Sequence, residues 1–405
     1  VDRLVKKYAA KLVAAGLVSG AGDDRPLVGG LDAERVWNRQ GPEINILSKL
    51  FDGLQINSLV FMRPAEPYRT IIGFLARHAG HRIAPKDCET RTFLHDLPVA
   101  TQYTPAALVD TLKYRKSVIL APDGHGHDAG LAIIAPGTVS PEQGFVVVSS
   151  VCFACFVKFF ADYLEALQSG HAAAEYHQAF DRVVPQLATL AADSPALMNA
   201  PFANEAAVYQ AIAQAGRETV AHHLVDSYFG NVSYRWKDTL FISQTGSSLD
   251  ELEGCVDPVP LDGSTSAGLT ASSELSAHLG VVARTGCRAV LHGHPKFAVI
   301  MSMDCAPQDK ARCDFVDHCH LRCPQPRSVA DVPIVPGEVG TGPNGLCHTL
   351  PPAIEKHGSA IVYGHGLFTT GHKDFNTAFR SMLQVESDCR AQYLNKVNML
   401  RRRVK

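Results

Sequence analysis

Neither sign of charge dominates this chain: 38 Lys and Arg stand against 40 Asp and Glu, for a net charge of −2. Without a basic excess there is no long-range field to draw in nucleic acid or an anionic membrane surface. The one basic cluster, Arg401-Arg402-Arg403, reads as a solvated tail. Charged residues make up 19% of the chain and apolar residues 46%, the balance of an ordinary folded protein. No uninterrupted apolar run is long enough to span a bilayer. The most apolar stretch, Phe145 to Phe160, is broken by Ser149, Ser150 and Lys158 and is expected to be a buried core helix. A secretory leader is not expected either, because Asp2, Arg3, Lys6, Lys7 and Lys11 punctuate the opening apolar positions. The eleven cysteines are odd in number and scattered, which argues against a disulfide framework and for a reducing, cytoplasmic setting. The glycine-rich loop from Pro336 to Gly342 lacks the Gly-Lys-Ser/Thr ending of a phosphate-binding P-loop.

What is present suggests two domains. A length of 405 residues exceeds one ordinary core. Proline and asparagine gather at Asp193-Ser194-Pro195 and Asn199-Ala200-Pro201, so a boundary is expected near residue 200. Helical periodicity opens the chain (Leu4, Tyr8, Leu12) and recurs from Ala206 to Leu224. In the second half, strands are expected at Val232–Arg235, Thr239–Ile242, Ala289–His294, Val332–Val335 and Ala360–His365. Helices are expected at about Ser273–Thr285, Leu350–Lys356 and Phe375–Val397. The interleaving, with hairpin-like early strands, predicts an α/β fold with a mixed sheet covered by helices.

The first half reads as a repeat of the second. Glu43 to Pro64 and Glu274 to Pro295 have identical spacing, which lays Phe61 and Arg63 on His292 and His294. Asp96 to Val99 falls on Asp331 to Ile334, and Gly124-His125-Gly126 on Gly364-His365-Gly366. The hairpin region of the second half, Phe229 to Ile242, is expected to be missing from the first.

His292 and His294 lie two apart in a predicted strand, where the pleat points both imidazoles to one face. Alone, such a pair is as readily two ordinary strand histidines. A third, His365, stands between glycines at the end of another apolar strand, where backbone can approach closely. Three protein ligands leave coordination positions open, the catalytic arrangement for zinc or a similar divalent ion. Glu274 opens a helix just before the His-x-His strand, where an acidic residue also suits the helix start. Beside a cation its carboxylate could serve as a proton-abstracting base. Gly230-Asn231, Thr245-Gly246 and Ser272-Ser273 precede the ligands; each is an ordinary turn or cap alone, and together they suit a phosphate cradle.

This ordered set resembles the class II aldolase and adducin family over about residues 205 to 395. The resemblance implies a tandem duplication of a class II aldolase-like three-layer domain, with a mixed, mainly antiparallel sheet covered by helices. Residues 1–200 would be a degenerate copy without the paired histidines, and 201–405 the catalytic domain. It further implies a zinc-dependent, carbon–carbon-cleaving aldolase of sugar phosphates, with His292, His294 and His365 on the metal and Glu274 as base. Gly230, Asn231, Thr245, Gly246, Ser272 and Ser273 would meet the substrate phosphate. A sugar-phosphate epimerase or dehydratase, or a non-catalytic adducin-like interaction protein, are the alternatives. The implied partners are a small hydroxy-carbonyl substrate and further copies of the chain, as a dimer mimicking a tetramer or as a tetramer. Two features depart from the family pattern. Met303 to Arg327 is long and holds Cys305, Cys313, Cys319 and Cys323, either free thiols or a structural metal set without close Cys-x2-Cys pairs. The resemblance also implies a tyrosine proton donor near the chain end or from a neighbouring subunit; Tyr393 is the only tyrosine after His365, and no motif ties it to that role.

Overall fold

The computed structural model describes residues 1–122, 130–189, 194–226, 228–264 and 270–403. These divide into two compact units, Val1–Tyr163 with His171–Ala188, and Leu164–Gly170 with Thr189–Lys405. Gly124, His125 and Gly126, laid on the His365 segment by the sequence repeat, fall outside the described residues, as does Asp193.

The first unit carries strands β1 (Leu27–Leu31), β2 (Arg35–Trp37), β3 (Ser58–Met62), β4 (Arg82–Ile83), β5 (Leu97–Ala100), β6 (Val118–Leu120) and β7 (Ala132–Gly137). They form one sheet in the order β2-β1-β3-β7-β6-β5-β4. One pair, β5 with β6, is parallel and the others are antiparallel. The amphipathic helix Asp2–Ala14 buries Val5, Tyr8, Ala9 and Leu12. The apolar stretch forms the helix Pro141–Gln168, which is long and apolar enough to cross a membrane by length and composition. That corrects the expectation that it is too short. Its most apolar window is 89% buried inside the fold, as the expected core helix would be.

The second unit carries β8 (Asn231–Trp236), β9 (Thr239–Ser243), β10 (Val256–Pro260), β11 (Ala289–Gly293), β12 (Arg327–Val329), β13 (Val332–Val335), β14 (Ser359–Val362) and β15 (Gly366–Gly371). The sheet order is β10-β9-β8-β11-β15-β14-β13-β12. Here too one pair, β13 with β14, is parallel. Strand β11 is buried along its whole length because β8 and β15 flank it and helices cover both faces. On one face Leu240, Val281, Val290, Leu350, Val362 and Phe368 join the helices Leu275–Thr285 and Leu346–His357 to the sheet. On the other, the long helix Phe375–Arg403 lies against β11 and β15. It carries Arg401 to Arg403 as its last residues, so that triplet is helical rather than a loose tail.

The two sheets share more than a fold class. Taking β1, β2, β3, β4, β5, β6 and β7 onto β8, β9, β11, β12, β13, β14 and β15 preserves every neighbour and every direction. The registers coincide as well. Phe61 faces Ile134 as His292 faces Phe368, and Val99 faces Ile119 as Ile334 faces Ile361. The hairpin expected to be missing from the first half is present as β1 and β2. Its glycines disguise it: a Cβ on Gly29 would lie 2.6 Å from the Trp37 ring, so the tryptophan covers the strand where a side chain would otherwise stand.

Candidate active site

Each candidate ligand is fixed by a local feature of the chain. His292 is the fourth residue of β11. His294 lies one residue past that strand, and its ring still converges with that of His292. The strand expected through His365 ends at Val362, and a turn through Gly364 (φ 57°) carries His365 to the start of β15. Because β15 pairs with β11, this turn brings His365 beside the other two. Gly366 makes the approach possible. A Cβ there would stand 2.5 Å from the Gly293 carbonyl oxygen, 2.7 Å from His292 Cε1 and 2.8 Å from His294 Cδ2. Gly230 does the same from the other side, with φ 80° and a would-be Cβ 2.4 Å from the His292 carbonyl oxygen.

The three imidazoles are buried, and one ring nitrogen from each lies within 4.8 Å of the others. His292 Nε2 and His294 Nε2 are 3.1 Å apart. His292 Nδ1 faces the Leu367 carbonyl oxygen at 3.1 Å, which places the ring proton on Nδ1 and leaves the Nε2 lone pair facing its neighbours. Burial lowers the His292 pKa to about 3 and that of His294 well below its ordinary value. The apolar walls explain this: the Phe368 ring stacks on His292 at 3.9 Å and the Phe229 ring on His294 at 5.3 Å. Neutral, converging and desolvated imidazoles are the state that a divalent cation requires of its ligands. The donor set therefore fits a metal ion. Among the described residues it is the one group of three His, Cys, Asp or Glu side chains drawn so closely together. Cys305, Cys313, Cys319 and Cys323 are free and half-buried, and Cys319 Sγ donates to the Val316 carbonyl oxygen at 3.3 Å.

Glu274 points into the same space. Its Oε2 lies 3.4 Å from His292 Nε2 and its Oε1 3.7 Å from His365 Nε2, and the residue is only 5% exposed. It stands just before the helix Leu275–Thr285, with its backbone N–H 3.3 Å from Ser272 Oγ. Asn231, at the start of β8, donates from Nδ2 to Glu274 Oε2 at 2.6 Å. Behind it, His278 Nε2 lies 2.5 Å from Asn231 Oδ1, and Ser233 Oγ lies 2.7 Å from His278 Nδ1. Burial depresses the His278 pKa to about 3, so the ring is neutral. One tautomer satisfies both contacts: Nε2–H donates to Asn231, and Nδ1 accepts from Ser233. His278 is not among the residues that the sequence motifs mark. The available signal is its place four residues after Glu274, on the same helix face.

The remaining polar positions are gathered at one sheet end. An isolated bridge joins Gln244 to Ala271, the Thr245 hydroxyl donates to the Ala271 carbonyl oxygen at 2.9 Å, and Ser272 N donates to the Ser243 carbonyl oxygen at 3.1 Å. Thr245, Gly246 and Ser273 are exposed there, and Ser272 is buried. Tyr393 is fully buried against Phe297, as a core aromatic would be.

A mixed sheet covered by helices, with a buried histidine triad and carboxylate at one strand end, defines an α/β domain whose donor set could hold a metal ion. Residues 210–393 match the family described as Class II Aldolase and Adducin N-terminal domain, and this part of the chain is such a domain. Among solved structures, an L-fuculose-1-phosphate aldolase from Thermus thermophilus is similar at 25% identity with a TM-score of 0.38, over 48% of this chain and 97% of that one. A sugar-phosphate aldolase from Thermotoga maritima is similar at 16% identity with a TM-score of 0.34, over 48% of this chain and 97% of that one. An L-fuculose 1-phosphate aldolase from Glaciozyma antarctica is similar at 17% identity with a TM-score of 0.32, over 49% of this chain and 78% of that one. No curated protein matches.

Proposed function

We propose that the second unit is a metal-dependent aldolase that cleaves or forms a carbon–carbon bond in a ketose, with a sugar phosphate as substrate. The observation that carries this reading is the Glu274 carboxylate set 3.4 and 3.7 Å from two imidazoles of a buried triad. His292, His294 and His365 would hold the ion, with zinc the first choice for three imidazoles. Once bound, a divalent cation supplies Lewis acidity toward the substrate carbonyl. Glu274 supplies the base. In cleavage its carboxylate receives the proton of the hydroxyl beyond the bond that breaks; in synthesis it takes the proton beside the carbonyl. Asn231 holds Oε2 of that carboxylate, and Phe229 and Phe368 keep water from the triad. Thr245, Gly246, Ser272 and Ser273 are the residues we assign to the phosphate, with Gly230 and Asn231 bordering them. For the whole chain we propose a homo-oligomer.

The test is Glu274→Gln, assayed against a panel of ketose 1-phosphates for release of a triose phosphate and an aldehyde. The variant is expected to keep one metal equivalent while losing about two to four orders of magnitude in rate. Undiminished turnover would place the base elsewhere. Absence of metal from the wild-type chain, even after reconstitution with zinc, manganese or cobalt, would sink the aldolase reading itself.

A further inference from the structure

The register correspondence between the sheets marks the place in the first unit where a site would stand. Arg63 lies one residue past β3, as His294 lies one past β11. Glu43 precedes the short helix Ile44–Leu47, as Glu274 precedes its own helix. The side chains are different, and they meet. Arg63 Nη2 donates to Glu43 Oε1 at 3.0 Å, with Glu43 8% exposed and the Arg63 side chain 27% exposed. A guanidinium thus carries the positive charge at the position that a ligand histidine occupies in the second unit.

Two buried polar atoms beside this pair have no hydrogen-bond partner among the described residues: Glu43 Oε2 and the Tyr103 hydroxyl. A buried polar atom left unpaired is destabilising, so a pair of them in one place calls for an occupant. Tyr103 belongs to the same cluster. Its ring lies 6.3 Å from that of Phe61, over which the Arg63 guanidinium sits at 5.2 Å, and the charges of Glu43 and Arg63 both act on it. Burial, with the Glu43 charge adding to it, raises the Tyr103 pKa, so the hydroxyl keeps its proton as a donor. Glu43 Oε2 is left uncovered by Gly41, where a Cβ would stand 2.6 Å from it. Arg63 uses Nη2 on Glu43 and Nη1 on the Asp23 carbonyl oxygen at 3.3 Å, which leaves three of its five N–H bonds.

We propose that Glu43, Arg63 and Tyr103 form a second, metal-free binding site, for a small α-hydroxy acid. The ligand hydroxyl donates to Glu43 Oε2, and the ligand carboxylate accepts from Tyr103 and from the remaining Arg63 donors. No covalent step is involved. The site stands independently of any catalysis in the second unit.

Calorimetry on the full chain carrying His292→Ala and His294→Ala isolates this site from the triad; chelator-treated wild-type protein replaces that variant should it not fold. Glycolate and D-glycerate are the probes, with acetate, which lacks the hydroxyl, and glycerol, which lacks the carboxylate, as controls. Both hydroxy acids are expected to bind at least about tenfold more tightly than either control. Tyr103→Phe, which removes only the hydroxyl, and Gly41→Ala, whose Cβ would crowd Glu43 Oε2 at 2.6 Å, are each expected to weaken binding by about tenfold or more. Equal affinity for acetate, or hydroxy-acid affinity untouched by both substitutions, overturns the proposal. So does a soaked crystal in which only water meets Glu43 Oε2 and Tyr103.

Discussion

Asn231 stands between Glu274 and His278, giving its amide nitrogen to the carboxylate at 2.6 Å and its amide oxygen to the imidazole at 2.5 Å. An amide in isolation could turn either face to Glu274. The neutral His278, itself held by Ser233, donates to the oxygen and so selects the orientation that offers N–H to the base. Asn231→Ala is therefore expected to lower turnover by about 10–100-fold, as loss of such a supporting contact typically does. Its metal content should stay near that of wild type, since no ligand is touched. A variant that loses metal and rate together would show that Asn231 supports the triad rather than the base.

The same buried histidine makes a pH prediction. The native state refuses a proton at His278 until about pH 3, whereas an unfolded histidine takes one near pH 6.5. Between those values the unfolded state binds more protons, so stability falls as pH falls, by up to about 1.4 kcal/mol per pH unit from this group. His278→Gln keeps a donor for Asn231 and an acceptor for Ser233 but cannot titrate. Urea unfolding at pH 6 and pH 4 should show a smaller acid loss for this variant, by about one bound proton. Identical slopes would mean that His278 does not stay neutral in the folded protein.

Gly366 is where the triad's closeness is decided. Alanine there would force its Cβ against the Gly293 carbonyl oxygen at 2.5 Å, and backbone cannot swing aside as a side-chain tip can. Overpacking of this kind costs about 1–3 kcal/mol. The displacement falls on His292 and His294, so Gly366→Ala is expected to weaken metal binding by about tenfold or more, in a zinc titration against a chromogenic chelator. Unchanged affinity would show that the backbone yields without moving the ligands.

Much of this site is legible in residue order. His292, His294, His365 and Glu274 are marked by spacing, flanking glycines and position before a strand, and the fold gathers all four. The details that fail have physical causes. β15 is hidden because its glycine ends and its closeness to His365 make it look like the tail of the preceding strand, whereas Gly364 at φ 57° turns the chain there. β10 carries two prolines, Pro258 and Pro260, a composition that argues against a strand and is tolerated because β10 is an edge with one neighbour. The helix expected from Leu350 begins at Leu346, since Pro351 and Pro352 read as a start but lie inside it. The aromatic walls Phe229 and Phe368 come from separate elements, and no local pattern links them to the histidines they cover.

Glu386 offers a second pH test with the opposite sign. Its carboxylate, on the long closing helix, accepts from the backbone N–H groups of Phe297 and Ala298 at 2.9 Å each. These N–H groups belong to the first turn of the helix Lys296–Met303, which follows directly on the His292–His294 segment. Burial outweighs these bonds and the charges of Lys296 and Arg390, raising the Glu386 pKa to about 7. The native state then holds a proton that the unfolded state, titrating near pH 4.5, has released. Across pH 4.5 to 7 this group lowers stability as pH rises, against the trend set by His278. Glu386→Gln retains one acceptor and removes the titration. Relative to wild type it should gain stability from pH 5 to pH 7, by about one proton's worth. Glu386→Ala, which leaves both N–H groups without the carboxylate, should cost about 2–3 kcal/mol below pH 4.5, and that cost should shrink toward pH 7 because this variant no longer titrates either. Parallel pH profiles for wild type and Glu386→Gln would show that the two backbone bonds keep Glu386 ionised, and burial would then not set the sign at this residue.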